Sequence, residues 1–583
     1  MRFILSLCTA FVLLGGPPRK VEAAFTDYEK LSCSVVCEKT AQIPTSIPEG
    51  AIEPVQPEKP LPNTLPSLAP LTPPLITPYY ESPTNTQPPP VGNKVQVERI
   101  EVFGNTIFLK DIQRIVKQYE GRKLSFEQLL SIRSAITNLY VSHGYITSGA
   151  FLSVQDITDG VVRVQVLEGE LEEITIQGLK RLRENYVLSR LATVKQSPVN
   201  LQQLVSKLQL LQLDPLFERV EAELVQGSSL QHSVLLIKLQ EAPALNSSFK
   251  VDNYESPSIG SLGATAAISH NNILGFGDRL EIDAKFTRGI NSYDFDYQFP
   301  INAQGGTVRL HYSNGSNRVI EPPFAPLNIK GQVQTYAVSF RQPIIRTPQT
   351  EFTLGLSADF SNSETFLLDD EPYSFSTGPE NGVSRIRAIR FTQDWVNRQP
   401  NQVIAVRSQL NWGLGILGAT VNDTGVDGRF LSWLGQVQWV RSLNAQRDAI
   451  VAMRAAAQLT GDSLLPLEQF SIGGINTIRG YRTNQRLADN GIVGSIEVQL
   501  PVLRSNSFGL LQIVPFLDAG VAWDNRDATT EMNTLVGTGL GLRWRRGSFT
   551  AQLDWGIPLV EVEGQGSSLQ ESGVYFSVEY NPF

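Results

Sequence analysis

The sequence predicts an all-β transmembrane barrel of about sixteen antiparallel strands, preceded by two small α+β domains. From residue 244 to residue 583, segments of roughly ten residues alternate apolar and polar side chains and are separated by turn residues. Before them, residues 95–243 hold two similar units with helical and strand-like apolar patterns. Residues 1–23 have the features of an export signal. These observations predict an exported membrane protein.

The first element is a predicted secretory signal peptide, residues 1–23. Arg2 supplies its positive start, residues 3–15 its apolar run, and residues 21–23 a small-residue cleavage site. The apolar run is shorter than the roughly 18 residues that suggest a membrane-spanning helix, so we expect cleavage and export rather than anchoring.

A proline-rich linker is predicted for residues 24–94, because proline removes backbone donors and fixes φ. Cys33 and Cys37 lie within it, and their Cys-x-x-x-Cys spacing permits a local disulfide in an oxidising compartment. No histidine lies near the two cysteines, which argues against a metal site. We expect neither a metal nor a cofactor.

Two copies of one unit follow the linker, residues 95–169 and 170–243. Their opening strands share a pattern, Ile100-x-Val102-x-Gly104 and Ile174-x-Ile176-x-Gly178. Each copy is predicted to run strand, helix, helix, strand, strand, and Ser125 is the predicted N-cap of a helix in the first. A small sheet with helices on one face can keep an open edge.

The predicted barrel occupies residues 244–583. In the segment Ile404–Trp412, apolar side chains alternate with Arg407, Gln409 and Asn411. A soluble β-sandwich also alternates, but long strands with almost no helix, and Trp and Tyr near strand ends, favour a membrane barrel. The last predicted strand, residues 574–580, is followed by the terminal Phe583.

One long segment from Gly461 to Asn490 breaks the alternation between the predicted eleventh and twelfth strands. A loop of this length inside a compact fold is usually functional or disordered. It contains Arg479, and alternation along residues 516–520 places Asp518 on the inner wall. The sequence therefore predicts a charge-assisted pair between Arg479 and Asp518 inside the barrel, with the inward-facing Glu497 as a second candidate partner.

The residues beside Arg479 suit such a contact. Gly480 permits a tight backbone turn, and Tyr481 can pack against the wall while keeping a hydrogen bond. The glycines of Gly537-Thr538-Gly539-Leu540-Gly541 precede a strand rather than a helix, which argues against a phosphate-binding loop. We expect them to lie on the barrel wall and leave room for the loop.

These motifs resemble those of the two-partner secretion transporters, the TpsB family of haemolysin secretion/activation proteins (ShlB/FhaC/HecB type). The two repeats resemble polypeptide-transport-associated (POTRA) domains. The remaining motifs resemble the family's barrel-penetrating loop, its F-x-D-x-G strand motif and an early barrel turn: Glu468-Gln469-Phe470-x-Ile472-Gly473-Gly474, Ile478-Arg479-Gly480-Tyr481, Phe516-x-Asp518-x-Gly520 and Leu274-Gly275-x-Gly277-Asp278. The resemblance implies that Arg479 contacts Asp518 in the lumen.

The expected function is to capture an unfolded exported partner protein in the periplasm and to secrete it through the barrel. The resemblance implies an outer-membrane location, with the linker and POTRA domains in the periplasm, contact with membrane lipid, and insertion by the barrel-assembly machinery. We expect a monomer without enzymatic activity, and the net charge of −8 without a basic block argues against nucleic acid.

Three alternative functions remain open on the sequence alone. The first is a factor that assembles other outer-membrane barrels, although such relatives usually carry more POTRA repeats. The second is a preprotein-conducting channel of the same superfamily. The third is a passive porin, which would have no use for the repeats or for the Arg479 loop.

Overall fold

The computed structural model describes residues 94–582, apart from residues 154, 156, 158, 230, 369, 526–532 and 563–565. The predicted signal peptide, the linker up to residue 93, Cys33, Cys37 and Phe583 lie outside the described residues. Among the residues that are described, no helix is both long and apolar enough to cross a bilayer.

The first N-terminal unit is a three-stranded sheet with two helices on one face. Its elements are β1 Val95–Val97, β2 Arg99–Phe103, α1 Leu109–Val116, β3 Arg122–Leu124, α2 Phe126–Ser142, β4 Gly149–Phe151 and β5 Val161–Leu167. Strand β5 is central, parallel to β2 and antiparallel to β4. Strands β1 and β3 pair separately, which the predicted element order lacked. Each has only three residues, too few to show an alternating pattern.

Helix α2 begins where the sequence predicts. The Ser125 side chain accepts from the backbone N–H of Gln128 at 3.3 Å, and the Gln128 side chain accepts from the backbone N–H of Ser125 at 2.8 Å. This capping box satisfies two amide groups that the helix itself leaves unpaired. The apolar stripe of α2 then packs Ile132, Ile136 and Tyr140 against the sheet.

The second unit repeats the arrangement in the predicted order. It consists of β6 Glu170–Gln177, α3 Glu184–Leu191, α4 Leu201–Gln212, β7 Phe217–Gln226 and β8 His232–Glu241. Strand β8 is central, parallel to β6 and antiparallel to β7. Leu204 and Leu208 of α4 are fully buried against this sheet.

Each unit closes with a glutamate that binds the loop before its first helix, after β2 in the first unit and after β6 in the second. Glu168 accepts the backbone N–H groups of Thr106 at 2.8 Å and Ile107 at 3.2 Å, and the Tyr140 hydroxyl donates to it at 2.6 Å. Glu241 accepts three successive backbone N–H groups, from residues 180–182. The two units therefore share this glutamate contact as well as the pattern of their strands.

The carboxylate of Glu168 makes the stability of the first unit depend on pH. Burial raises its pKa, but hydrogen bonds from Thr106, Tyr140 and Ile107 outweigh burial and hold the pKa below the usual 4.5. A depressed folded-state pKa adds stability that is present above pH 4.5 and is lost as pH falls through the folded value.

We therefore expect Glu168→Gln to lower the free energy of unfolding of this unit by about 1.5 kcal/mol near neutral pH. Its effect should shrink as the pH falls below 4.5, because the carboxylate of the unfolded chain protonates first and the advantage of the folded state is lost. Hydrogen exchange of the α2 amides in the full chain measures both changes. Glu127→Gln, at an exposed glutamate of the same helix, is the control, and an equal loss there would contradict the prediction.

The rest of the described chain forms a closed antiparallel barrel of sixteen strands, which confirms the predicted fold class. The strands are β9 Leu245–Asp252, β10 Gly263–Asn271, β11 Arg279–Thr287, β12 Ile290–Pro300, β13 Thr307–Arg318, β14 Lys330–Arg346, β15 Thr350–Leu367, β17 Val383–Gln399, β18 Gln402–Gly413, β19 Phe430–Ser442, β20 Ile450–Thr460, β23 Asn490–Ser505, β24 Gly509–Trp523, β25 Asn533–Arg546, β26 Phe549–Pro558 and β27 Val574–Tyr580. The two-residue strand β16, Glu371–Pro372, only extends the tip of β15. Strand β27 pairs with β9 and closes the barrel.

The strands turn their apolar side chains outward, as the alternation predicts. On β18, Leu410 and Trp412 are 42% and 60% exposed, whereas Arg407, Gln409 and Asn411 are buried inside. An outward apolar surface and a polar interior are what a lipid-embedded barrel requires.

The second N-terminal unit contacts the barrel through the turn between β10 and β11. This turn carries Leu274-Gly275-x-Gly277-Asp278. The backbone N–H of Arg183 donates to the Gly275 carbonyl at 2.8 Å, and the buried Asp278 carboxylate accepts the Leu274 N–H at 2.9 Å. Gly277 has φ +85°, and a Cβ there would overlap the ring of Tyr186. The turn thus holds α3 directly against the barrel rim.

We expect Gly277→Ala to loosen this contact, because the methyl group would displace Tyr186. Amide hydrogen exchange in α3 and in the β10–β11 turn should increase. Gly547→Ala is the matched control: Gly547 also has positive φ, +53°, in the turn between β25 and β26, but a Cβ there would have no neighbour within 4 Å. An increase of exchange in α3 that is equal in the two variants would contradict the contact with Tyr186 as the cause.

Candidate functional site in the barrel lumen

The interruption of the strand pattern is a loop, residues 461–489, that leaves β20 and returns to β23. These are the eleventh and twelfth strands of the barrel, as predicted. The loop folds inward, and its short strands β21 Phe470–Ile472 and β22 Arg486–Ala488 pair with each other. Gly473 and Gly474, with φ +106° and +92°, turn the chain at the end of β21.

Apolar packing holds the inner part of this loop against the wall. Ile472, Ile478 and Tyr481 are at most 1% exposed. They share one buried cluster with Ala522 of β24 and Leu535 of β25. The loop is therefore packed like part of a protein core. Its tip, residues 478–482, reaches the thirteenth and fourteenth strands.

The structure brings Arg479 and Asp518 together. The Arg479 side chain donates from Nε and from one terminal nitrogen to the two carboxylate oxygens of Asp518, at 2.7 and 2.8 Å. The backbone N–H of Arg479 donates to the same carboxylate at 3.1 Å. The two side chains are 4% and 1% exposed, so this is a buried bidentate ion pair.

Two further carboxylates approach the same guanidinium. Glu497 of β23 lies 3.1 Å away, and Asp554 of β26 lies 3.5 Å away. Arg454 contacts Glu497 at 3.6 Å, and Arg543 contacts Asp554 at 2.7 Å. The site therefore places three arginines beside three buried carboxylates, and the loop supplies one of the three positive charges.

Glu497 was a predicted partner of Arg479, but Asp554 was not. Alternation along β26 puts Asp554 on the inner face, opposite to Leu553 and Trp555, which are 45% and 55% exposed. That signal was available in the sequence. It could not show that β26 lies beside the loop tip, because this depends on closure of the barrel.

The wall approaches the loop closely at glycines. Gly480 has φ +103°, and its N–H donates to the Tyr575 hydroxyl at 3.0 Å. A Cβ on Gly556 would lie 2.5 Å from the Gly480 nitrogen, and one on Gly537 would overlap the Arg479 carbonyl oxygen. Side chains at these wall positions would exclude the tip.

The structure corrects one expectation about the Gly537–Gly541 segment. Only Gly537 faces the loop. A Cβ on Gly539 would instead overlap the Trp555 carbonyl of the neighbouring strand, and one on Gly541 would crowd Asp554 and Arg543. The sequence pattern could not separate glycines that admit the loop from those that admit neighbouring wall residues.

Tyr481 and its neighbours extend the contact around the lumen. The Tyr481 hydroxyl lies 2.8 Å from the Val536 carbonyl and 2.9 Å from the Val560 carbonyl. The hydroxyl of Thr483 donates to the Tyr254 carbonyl at 2.8 Å, just beyond β9. Arg482 contacts Glu321 at 2.6 Å, in the loop that follows β13. The tip is thus tied to several parts of the inner surface at once.

The chemistry of this site is that of an ionic contact between a loop and a wall. Within the described ranges, no group of three His, Cys, Asp or Glu side chains is arranged to hold a metal ion. Arg479 also lies over the Phe516 ring, 3.5 Å from its centroid, which covers one face of the guanidinium. The arrangement fixes where the loop lies.

A sixteen-stranded barrel with an outward apolar surface, an internal segment docked in its lumen and small α+β domains before it is the architecture of an outer-membrane protein. The family model described as haemolysin secretion/activation protein ShlB/FhaC/HecB matches residues 231–544, and a ShlB-type POTRA domain model matches residues 95–169. The chain belongs to the ShlB/FhaC/HecB family of haemolysin secretion/activation proteins. It is an outer-membrane protein of two-partner secretion, with its POTRA region in the periplasm.

Individual relatives agree with this assignment. The chain is 26% identical over 513 residues to the outer membrane transporter CdiB of Escherichia coli, covering 84% of this chain and 82% of that protein. It is 26% identical over 276 residues to the heme/hemopexin transporter protein HuxB of Haemophilus influenzae, covering 46% and 48%. The solved structure of CdiB from Escherichia coli has the same fold, with a TM-score of 0.67, 22% identity, and coverage of 88% and 94%.

Proposed function

We propose that this transporter captures an unfolded exported partner protein in the periplasm and passes it through the barrel lumen. The proposal rests on the loop across the lumen. A segment held there by a bidentate ion pair and by packing lies in the lumen without being one of the strands that close the barrel. The Arg479–Asp518 contact, with Gly480, Tyr481 and Glu497 around it, holds the loop in its transport-competent place.

Capture is assigned to the two N-terminal units, which makes residues 170–243 a second POTRA domain. In the sheet order β6-β8-β7, strand β7 has a neighbour on one side only. It is ten residues long, and an extended client can add to such an edge through main-chain hydrogen bonds with little sequence demand. Strand β4 offers a shorter edge of the same kind in the first unit.

The remaining parts of the proposal concern the environment of the barrel. Its outward apolar band contacts membrane lipid, and the barrel-assembly machinery inserts it. It acts as a monomer and performs no covalent chemistry. The energy for directional transport comes from folding of the client outside the cell.

Deletion of the gene tests the proposal against the rival function in barrel assembly. The expected result is that one large exoprotein disappears from the medium while other outer-membrane barrels keep their normal levels. Depletion of many barrels, with exoprotein secretion falling only in proportion, would contradict secretion as the direct function.

A further inference from the structure

A second buried ion pair ties the loop to a different part of the wall. Glu468 ends a short 3-10 turn, Pro466–Glu468, near the beginning of the loop. Two nitrogens of Arg390 on β17 donate to its two carboxylate oxygens, at 2.8 and 3.1 Å. The side chains are 8% and 5% exposed. This contact is bidentate like the one at Arg479, and its side chains are nearly as buried.

Apolar packing surrounds this second contact. Leu464, Leu465 and Leu467 are at most 2% exposed and share a cluster with Ile386 of β17 and Phe430 of β19. The cluster has no residue in common with the one around Ile478 and Tyr481. The base and the tip of the loop are therefore packed separately.

The two contacts lie on distant parts of the barrel. Arg390 is on the eighth strand, whereas Asp518 and Asp554 are on the thirteenth and fifteenth. The loop leaves the eleventh strand, runs back across the inner wall to the eighth, and only then crosses to its tip site. Glu468 fixes this path at two points. Its carboxylate binds Arg390, and its backbone carbonyl accepts a hydrogen bond from the Gln458 side chain of β20 at 2.8 Å.

The charge balance differs between the two sites. Without the loop, the tip site would hold three carboxylates and two arginines, so Arg479 neutralises it. At the base, Arg390 already contacts Asp359 of β15 at 2.5 Å, and Glu468 adds a second carboxylate to a neutral pair. Both sites also pack apolar side chains, but loss of the loop would leave the tip site with one excess negative charge and the base site neutral.

We infer that Glu468 and Arg390 are positioning residues for transport. They keep the base of the loop on the wall while the tip at Arg479 moves, so that the loop swings about its base instead of leaving the lumen as a whole. This inference rests on the proposed function, because it concerns how the loop clears a path for the client.

The test compares amide hydrogen exchange in the full-length protein for Glu468→Gln and Arg479→Ala. Glu468→Gln should raise exchange in residues 464–472 by about tenfold and leave residues 478–482 within about twofold of wild type. Arg479→Ala should do the reverse. Arg390→Lys, which keeps the charge but loses the bidentate geometry, should give a smaller change at the base. If base and tip respond together to either variant, the inference is wrong.

The matched control is Asp394→Asn. Asp394 pairs with Arg407 at 2.7 Å within the wall, and both side chains are as buried as those of Arg390 and Glu468. It should leave exchange in both parts of the loop unchanged. An increase at residues 464–472 equal to that of Glu468→Gln would mean that any lost wall charge loosens the base, which would overturn the inference.

Measuring client secretion by the two variants tests the inference separately from the proposed function. Glu468→Gln should reduce secretion of the client by about tenfold in cells that contain normal amounts of folded barrel. Normal secretion by Glu468→Gln together with loss in Arg479→Ala would overturn the positioning role alone. Normal secretion by both variants would overturn the proposed function of the loop as well.

Discussion

Arg479→Ala is expected to reduce client secretion at least about tenfold while the barrel still inserts into the outer membrane. The substitution removes one partner from a buried ionic cluster, which typically costs about 3–5 kcal/mol. The substitution should weaken docking of the loop rather than the stability of the barrel, because Arg479 belongs to the loop and not to a strand of the wall. Secretion into the medium and heat-modifiable mobility of the barrel measure the two effects separately.

The charge balance makes this prediction specific. Without Arg479, Glu497 keeps its contact with Arg454 and Asp554 keeps its contact with Arg543, but Asp518 loses its bidentate partner. Asp518→Asn combined with Arg479→Ala should therefore be less harmful than the sum of the single changes, since the two residues share one interaction. Arg407→Ala, at a buried arginine of the wall, is the control and should leave the loop docked. Normal secretion by Arg479→Ala would contradict the role assigned to the ion pair.

Gly537→Ala is expected to displace the loop tip without changing any charge. A methyl group on this wall residue would overlap the carbonyl oxygen of Arg479, and the backbone there leaves no flexible side-chain end to move aside. The tip must shift, which lengthens the bidentate contact with Asp518. We expect increased amide exchange at residues 478–482 and a loss of secretion comparable with that of Arg479→Ala.

Gly494→Ala is the matched control for this steric test. Gly494 lies on β23, and the nearest atom to its Cβ would be the Arg454 carbonyl oxygen at 3.9 Å. It should secrete normally. If Gly537→Ala also secretes normally with an unchanged exchange pattern, the close approach of the loop to β25 is not required for docking.

The sequence alone could predict the position of the loop and two of its wall partners, Asp518 and Glu497. Alternation ends at Gly461, directly after the last residue of β20, and resumes at Asn490, the first residue of β23. The same alternation puts Asp518 inside, because side-chain direction along a strand depends only on neighbours in the chain. Such local rules suffice for each strand taken alone.

The other partners depend on contacts between distant strands. Asp554 and Arg390 show the inward alternation of ordinary wall residues, and nothing local indicates which of them the loop will meet. The docking of Tyr186 on Gly277 is similar, since a glycine in a turn does not reveal which side chain packs against it. These contacts follow from the register and closure of the barrel and from the path of the loop inside it.

Photo-crosslinking of a client arrested during secretion tests passage through the lumen most directly. Neighbouring positions on β14 provide the comparison: the Thr335 hydroxyl lies 3.0 Å from that of the inward Ser361, whereas Tyr336 is 48% exposed on the outer face. A photoreactive residue at 335 is expected to crosslink to the client, and one at 336 is not. Crosslinks at 336, or none at 335 while the POTRA units still crosslink, would contradict transport through the barrel.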